Sequence, residues 1–170
     1  MANEIPVYLF VGFLESGKTK FIQETFEDPN FDSGDKTLLL VCEEGEEEYN
    51  EKKFAFPGVT LYNLEDKAEL NPQNLAKLAK EADAGRVVIE YNGMWQMEKL
   101  YREVLPANWV LYQIMTFVQA PTFELFVKNM GQLMMEKITN CDMLIFNRCN
   151  EQLRTQLRSK NLRMANRRAD

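Results

Sequence analysis

Five near-continuous apolar runs of strand length punctuate the chain: IPVYLFVG (5–12), KTLLLVC (36–42), GRVVIEY (85–91), NWVLYQIMTFV (108–118) and CDMLIFN (141–147). Continuous apolarity, where strict alternation is absent, marks strands buried on both faces, as in parallel sheets covered by helices. Between the runs lie KTKFIQETFED (18–28), NPQNLAKLAKEAD (71–83), MWQMEKLYREVL (94–105) and PTFELFVKNMGQLMMEKI (121–138), with apolar residues three and four apart. That is helical period, and several of these segments open near Pro or Asn as helix starts do. Strands alternating with helices predict an α/β fold with a mainly parallel sheet. The ending NEQLRTQLRSKNLRMANRRAD reads as a basic amphipathic helix and a turn, and it stops where a βα order would send the next strand. One domain over residues 1–170 is expected, either whole or cut before its last strand.

Composition narrows the chemistry. With 170 residues, 45% of them hydrophobic, the chain is long enough to bury a single core. A net charge of -6 offers no electrostatic footprint for a phosphate backbone, so nucleic acid is not an expected partner. No apolar stretch approaches the roughly 20 residues that span a bilayer, and the N-terminus lacks the features of a secretory signal, so a cytoplasmic location is the expectation. Cys42, Cys141 and Cys149 lack metal-ligand spacing and read as free thiols, best taken as small buried hydrophobes. The chain has no His, which removes imidazole acid–base catalysis, Ser–His dyads and imidazole metal ligands.

One motif survives this pruning with full strength. GFLESGKT, residues 12–19, fits G-x-x-x-x-G-K-[ST] without mismatch, and it stands between a predicted strand and a predicted helix. The glycines let the backbone turn so that N–H groups face phosphate oxygens, Lys18 adds a cation, and the helix N-terminus adds its positive dipole end. The Thr19 hydroxyl is placed for Mg²⁺. Gly12, Glu15, Ser16, Gly17, Lys18, Thr19 and Lys20 are therefore the candidate nucleotide-binding positions, for a nucleoside triphosphate.

Phosphoryl transfer also needs a carboxylate at another strand end, to hold the Mg²⁺ shell or orient water. Glu90 ends one buried run, with Gly93 three residues on; Glu43 ends another and opens the acidic tract EEGEEEY. Solvation accounts for most acids of that tract, and a charge that merely closes a strand is the plain alternative for Glu90. Lys18, Glu43 and Glu90 are the candidate catalytic residues, and Thr19, Glu43 and Glu90 the candidate metal ligands.

In order and spacing these segments resemble the CobW/HypB/UreG-type P-loop GTPases, the CobW branch most closely. That branch has G-F-L-x-x-G-K-T, a strand-end N-E-F-G-E, a later E-x-x-G and an N-K-x-D; here stand GFLESGKT, CEEGE, EYNG and NRCN. The resemblance runs from about Ile5 to the chain's end. It implies a three-layer α/β/α P-loop NTPase domain that binds GTP and Mg²⁺ and hydrolyses slowly as a switch. It also implies nucleotide-dependent homodimers and a metalloprotein client in metal-centre assembly or metal homeostasis. Glu43 would be a Mg²⁺ or switch carboxylate; Glu90 would sit near the γ-phosphate, with Gly93 allowing a backbone shift.

Two departures qualify this. By the family pattern Asn147 contacts the purine edge and the loop, Arg148 stacks on the base, and an Asp accepts from guanine; Asn150 stands in that Asp's place. An amide offers one acceptor where guanine presents two donors, a mismatch costing on the order of 1–3 kcal/mol. GTP, XTP and ATP all stay open as ligands, as does an ordinary strand-end turn with no base contact. The branch's C-x-C-C metal motif is also missing from the stretch after Lys53. A nucleotide-binding regulatory or interaction module without hydrolysis is the rival reading.

Overall fold

The computed structural model describes residues 3–162, 165 and 166. The end of the predicted basic tail, residues 163, 164 and 167–170, lies outside the described residues. Six strands form one wholly parallel sheet: β1 (Ile5–Gly12), β2 (Thr37–Val41), β3 (Val59–Asn63), β4 (Arg86–Glu90), β5 (Trp109–Gln119) and β6 (Met143–Asn147), in the order β3-β2-β4-β1-β5-β6. Five of them match the apolar runs. β3 is absent from the sequence reading because it is a five-residue edge strand whose residues are half-buried or exposed, so it has no continuous apolar run to announce it.

Side-chain alternation sorts the strands' residues onto two faces. Val7, Leu9, Leu38, Leu40, Val87 and Ile89 point to one, where Leu75 and Leu78 of α2 (Pro72–Glu81) and Met97 and Leu100 cover them. Phe10, Leu39, Val88, Met115 and Phe117 point to the other, against Ile22 and Phe26 of α1 (Lys18–Glu27). Both layers are dry, which is why these strands read as unbroken apolar runs. Helix α3 (Met97–Lys99) continues as a π-helical turn over Leu100–Val104, so the predicted helix over 94–105 is shorter and wider than a regular one. α4 (Phe123–Asn140) is bent at Met130, which leaves helical geometry beside Gly131. α5 (Glu151–Ser159) follows β6.

In register, Phe10 pairs with Glu90, Val41 with Glu90, Gly12 with Phe117 and Gln119 with Asn147. The carboxyl ends of β2, β4, β1, β5 and β6 therefore lie along one edge. β1 sits inside the sheet with its successors on either side, which is where open parallel sheets leave a crevice for ligands.

Candidate functional site

β1 delivers the chain into its loop at Gly12, and α1 begins at Lys18. Gly17, the N-cap, has φ 102°, a left-handed conformation that side chains resist, and no side chain caps the helix. The first-turn N–H groups of α1 are thus left for a ligand. A Cβ on Gly17 would also strike the Asn147 amide, whose Nδ2 donates to the Ser16 carbonyl at 3.4 Å. The loop is braced again where Gln119 Nε2 donates to the Glu15 carbonyl, at a residue with φ 60°.

Lys18 is only 2% exposed. Its ammonium donates to the carbonyls of Gly12, Phe13 and Tyr91 and pairs with Glu43 Oε2 at 2.5 Å. The other oxygen of Glu43 accepts from the Gly93 N–H at 3.2 Å. Gly93 has no room for a side chain: a Cβ there would strike the Gly12 carbonyl and come within 2.7 Å of Phe13 Cα. The close approach, and with it the Glu43–Gly93 link, is therefore built on an absent methyl group. Thr19 Oγ1 donates to Glu90 Oε1 at 2.6 Å, and the Tyr49 hydroxyl donates to Glu90 Oε2. Burial holds the Glu90 carboxyl above the usual carboxylate range, while the Thr19 and Tyr49 hydroxyls and Lys18 pull the other way. Burial also pushes the Tyr49 phenol upward, so at neutral pH it is a donor to Glu90.

A cavity of about 460 Å³ opens over this arrangement, with Glu15, Gly17, Lys18, Thr19, Lys20, Glu43, Glu90, Asn147 and Arg148 among its walls. Most of the candidate residues, from four separate segments of the chain, thus meet at one place. Gly12, Ser16 and Gly93 are not among the residues that line it. Asn150 lies elsewhere: it caps α5, its Oδ1 accepting from the Leu153 N–H at 2.8 Å, and it faces a neighbouring groove. Glu43 meets Lys18 instead of Thr19, so the three candidate metal ligands divide between two contacts.

A phosphate chain suits what is here. Ser16 Oγ is buried without a hydrogen-bond partner among the described residues, an orphan that a ligand oxygen at the start of α1 would satisfy. The Thr19 hydroxyl with the Glu90 carboxylate is a hard-oxygen pair of the kind that, with phosphate oxygens and water, suits Mg²⁺. Among the described residues no cluster of three His, Cys, Asp or Glu forms a metal cage. Cys42 and Cys141 are buried, the Cys42 thiol pushed up to about 12 by burial and then by Glu90 and Glu43. Cys149 corrects the sequence reading: it is exposed, in the turn after β6.

Sequence reasoning missed Tyr49 as a site residue, and it missed Lys137, which is 1% exposed with its ammonium over the Phe13 ring of the phosphate loop. The spacing of Met134, Lys137, Ile138 and Cys141 places Lys137 on the apolar stripe of α4, the one signal that could have found it.

A P-loop between β1 and α1, opening on the carboxyl edge of a parallel sheet, defines an α/β nucleotide-binding domain. The family described as CobW/HypB/UreG, nucleotide-binding domain, matches residues 6–170, and the chain belongs to that family. Among solved structures, Zn(II)-bound YjiA GTPase from E. coli superposes with a TM-score of 0.67 at 19% identity, covering 99% of this chain and 57% of that one. A Zn(II)-bound triple mutant of YjiA GTPase gives 0.68 at 19% identity, with the same coverage. The hydrogenase maturation factor HypB from Archaeoglobus fulgidus gives 0.59 at 16% identity, covering 98% and 79%. At these identities the likeness is one of fold, and the chain spans a little over half the length of the YjiA chains. Curated protein sequences give no match. No helix among the described residues is long and apolar enough to cross a membrane.

Proposed function

We propose that the protein binds Mg²⁺ and GTP at the cavity over Lys18, Thr19 and Glu90, hydrolyses the triphosphate slowly, and acts as a switch. The observation that carries this is the meeting of an uncapped α1 N-terminus, a buried Lys18 and the Thr19–Glu90 pair in one cavity. Phosphate oxygens would take the free N–H groups of the loop and the Lys18 charge. Bound at Thr19 Oγ1 and the Glu90 side, Mg²⁺ would neutralise charge on the phosphate oxygens. Glu90, kept from solvent and gripped by two hydroxyls, would accept the proton of a water that attacks the γ-phosphorus; the bond to the leaving diphosphate would break, and inorganic phosphate would be released. The switch lies in the segments that Glu43 and Tyr49 tie to the site, residues 43–49 and 90–93.

The family and its structural neighbours, a GTPase and a hydrogenase maturation factor, support a role in metal-centre assembly or metal homeostasis, with a metalloprotein client. A nucleotide-dependent homodimer would be the form in which the switch acts. A cytoplasmic place fits this role.

One observation favours a second reading, a nucleotide-binding module with relaxed base preference: the Asn150 oxygen is spent on capping α5, leaving only an amide donor to offer a base. Titration with GTP, XTP and ATP, with and without Mg²⁺, separates the two. GTP preference lost in Lys18→Ala supports the first; equal binding, or XTP preference, supports the second. A turnover unaltered in Glu90→Gln would remove Glu90 from the hydrolytic step.

A further inference from the structure

Among the described residues Lys137 is a buried ammonium without a hydrogen-bond partner. Its Nζ lies 5.0 Å from the centre of the Phe13 ring, in the phosphate loop, and Lys137 is not one of the residues that line the cavity. A ring face is a weak substitute for water or a carboxylate. Two carboxylates are near enough to act on it electrostatically, Glu136 and Glu43, and Lys18 opposes them. Glu136 is engaged: its Oε1 accepts from the N–H groups of Met97 and Glu98 and so starts α3. Glu43 is engaged too, but by the cation that a phosphate ligand would claim.

Lys18 cannot serve the Glu43 carboxylate and a triphosphate equally. As phosphate oxygens take Lys18, Glu43 is left with only the Gly93 N–H, in a pocket that gives it 8% exposure. At that moment two opposite buried charges stand unpaired, with Gly93 packed on Phe13 and Phe13 under Lys137. Pairing them relieves both desolvation costs at once. We propose that Lys137 is a positioning residue that receives Glu43 when a triphosphate displaces it from Lys18, carrying Gly93 and the residues beside it into the bound state. Burial brings the Lys137 ammonium down to about 8, so it is still charged at neutral pH and able to play this part. The proposal rests on the nucleotide reading above and adds to it the element that turns phosphate contact into movement.

Trp95 reports on that segment, since its ring packs on Tyr91. In a Trp109→Phe background, which leaves Trp95 as the single indole, Mg²⁺–GTP titration gives both affinity and the change in Trp95 emission. Lys137→Met is expected to fold, to bind the triphosphate at least tenfold more weakly, and to lose most of the Trp95 change. Lys137→Arg, which keeps the charge, is expected to retain more than half of both. In a Glu43→Gln background, Lys137→Met should cost less than twofold further.

Wild-type affinity and an unaltered Trp95 change in Lys137→Met overturn the proposal alone. So does a tenfold loss that persists undiminished in Glu43→Gln, because Lys137 would then act on the phosphates directly. Failure of the Trp109→Phe protein to bind GTP, XTP or ATP overturns the nucleotide reading and this with it. Should Lys137→Met fail to fold, ε-¹³C lysine spectra of the wild type carry the test. The signal missing from Lys137→Arg is expected to shift on Mg²⁺–GTP addition and to stay still in Glu43→Gln; a signal unmoved in the wild type overturns the proposal.

Discussion

The premise about Lys137 can be tested without any nucleotide, through the pH dependence of stability. Its ammonium has an ordinary value of 10.5, and burial lowers it to about 8 in the folded chain, with Glu136 and Glu43 pulling it up and Lys18 pushing it down. Below pH 8 both folded and unfolded chains hold this proton, and the folded chain bears the full cost of burying the charge. Above 10.5 neither holds it, and the cost is gone. In between the unfolded chain binds more protons, so stability rises with pH. The separation of 2.5 units between 10.5 and about 8 corresponds to about 3 kcal/mol in all, of which about 2 kcal/mol is recovered by pH 9.5. Other groups titrate over the same range, so the quantity to follow is the difference between wild type and Lys137→Met. Urea unfolding of the two at pH 7 and 9.5 should show the variant's advantage shrinking by about 2 kcal/mol as pH rises. A gap that stays constant to within about 0.5 kcal/mol would mean that Lys137 titrates as it does in water, and the account of an uncompensated buried ammonium would be wrong.

Gly93→Ala must push its new methyl into the Gly12–Phe13 backbone, and should lose about 2–3 kcal/mol and roughly 5–10 °C in a calorimetric melt. Gly131→Ala, which meets nothing within 4 Å, should lose none. Tyr49→Phe removes one of the two hydroxyls on Glu90 and should cost about 1.5–3 kcal/mol in urea unfolding at pH 7, with faster amide exchange across residues 43–50. Asn150→Asp keeps the α5 cap, so its melting temperature should match wild type, while the ratio of GTP to XTP affinity should rise by about 10-fold or more. An unchanged ratio would place the base away from residue 150.

What the sequence discloses depends on how local the cause is. The phosphate loop is legible because its chemistry is backbone chemistry: Gly12, Gly17 and Lys18 act within eight consecutive residues, and the strand and helix that frame them carry unmistakable periods. The buried strands are legible for a related reason, since two dry faces confine the polar residues to the ends of the run, Thr37 in β2 and Arg86 and Glu90 in β4. β3 has one wet side, and its half-exposed pattern says little by itself. Asn150 shows a different limit. One amide at a strand-to-helix turn can face a base or cap the helix, and only the direction taken by α5 decides that its oxygen goes to Leu153. Tyr49 and Lys137 depend on distance across the fold, 41 residues from Glu90 in one case, and no spacing rule links them to the loop. Yet Lys137 is not wholly hidden. A cation on the apolar stripe of a helix violates the pattern that predicts the helix, and such a violation needs either a partner or a purpose. Since its Nζ has no hydrogen-bond partner among the described residues, the purpose belongs to a second state, the one in which Glu43 has left Lys18.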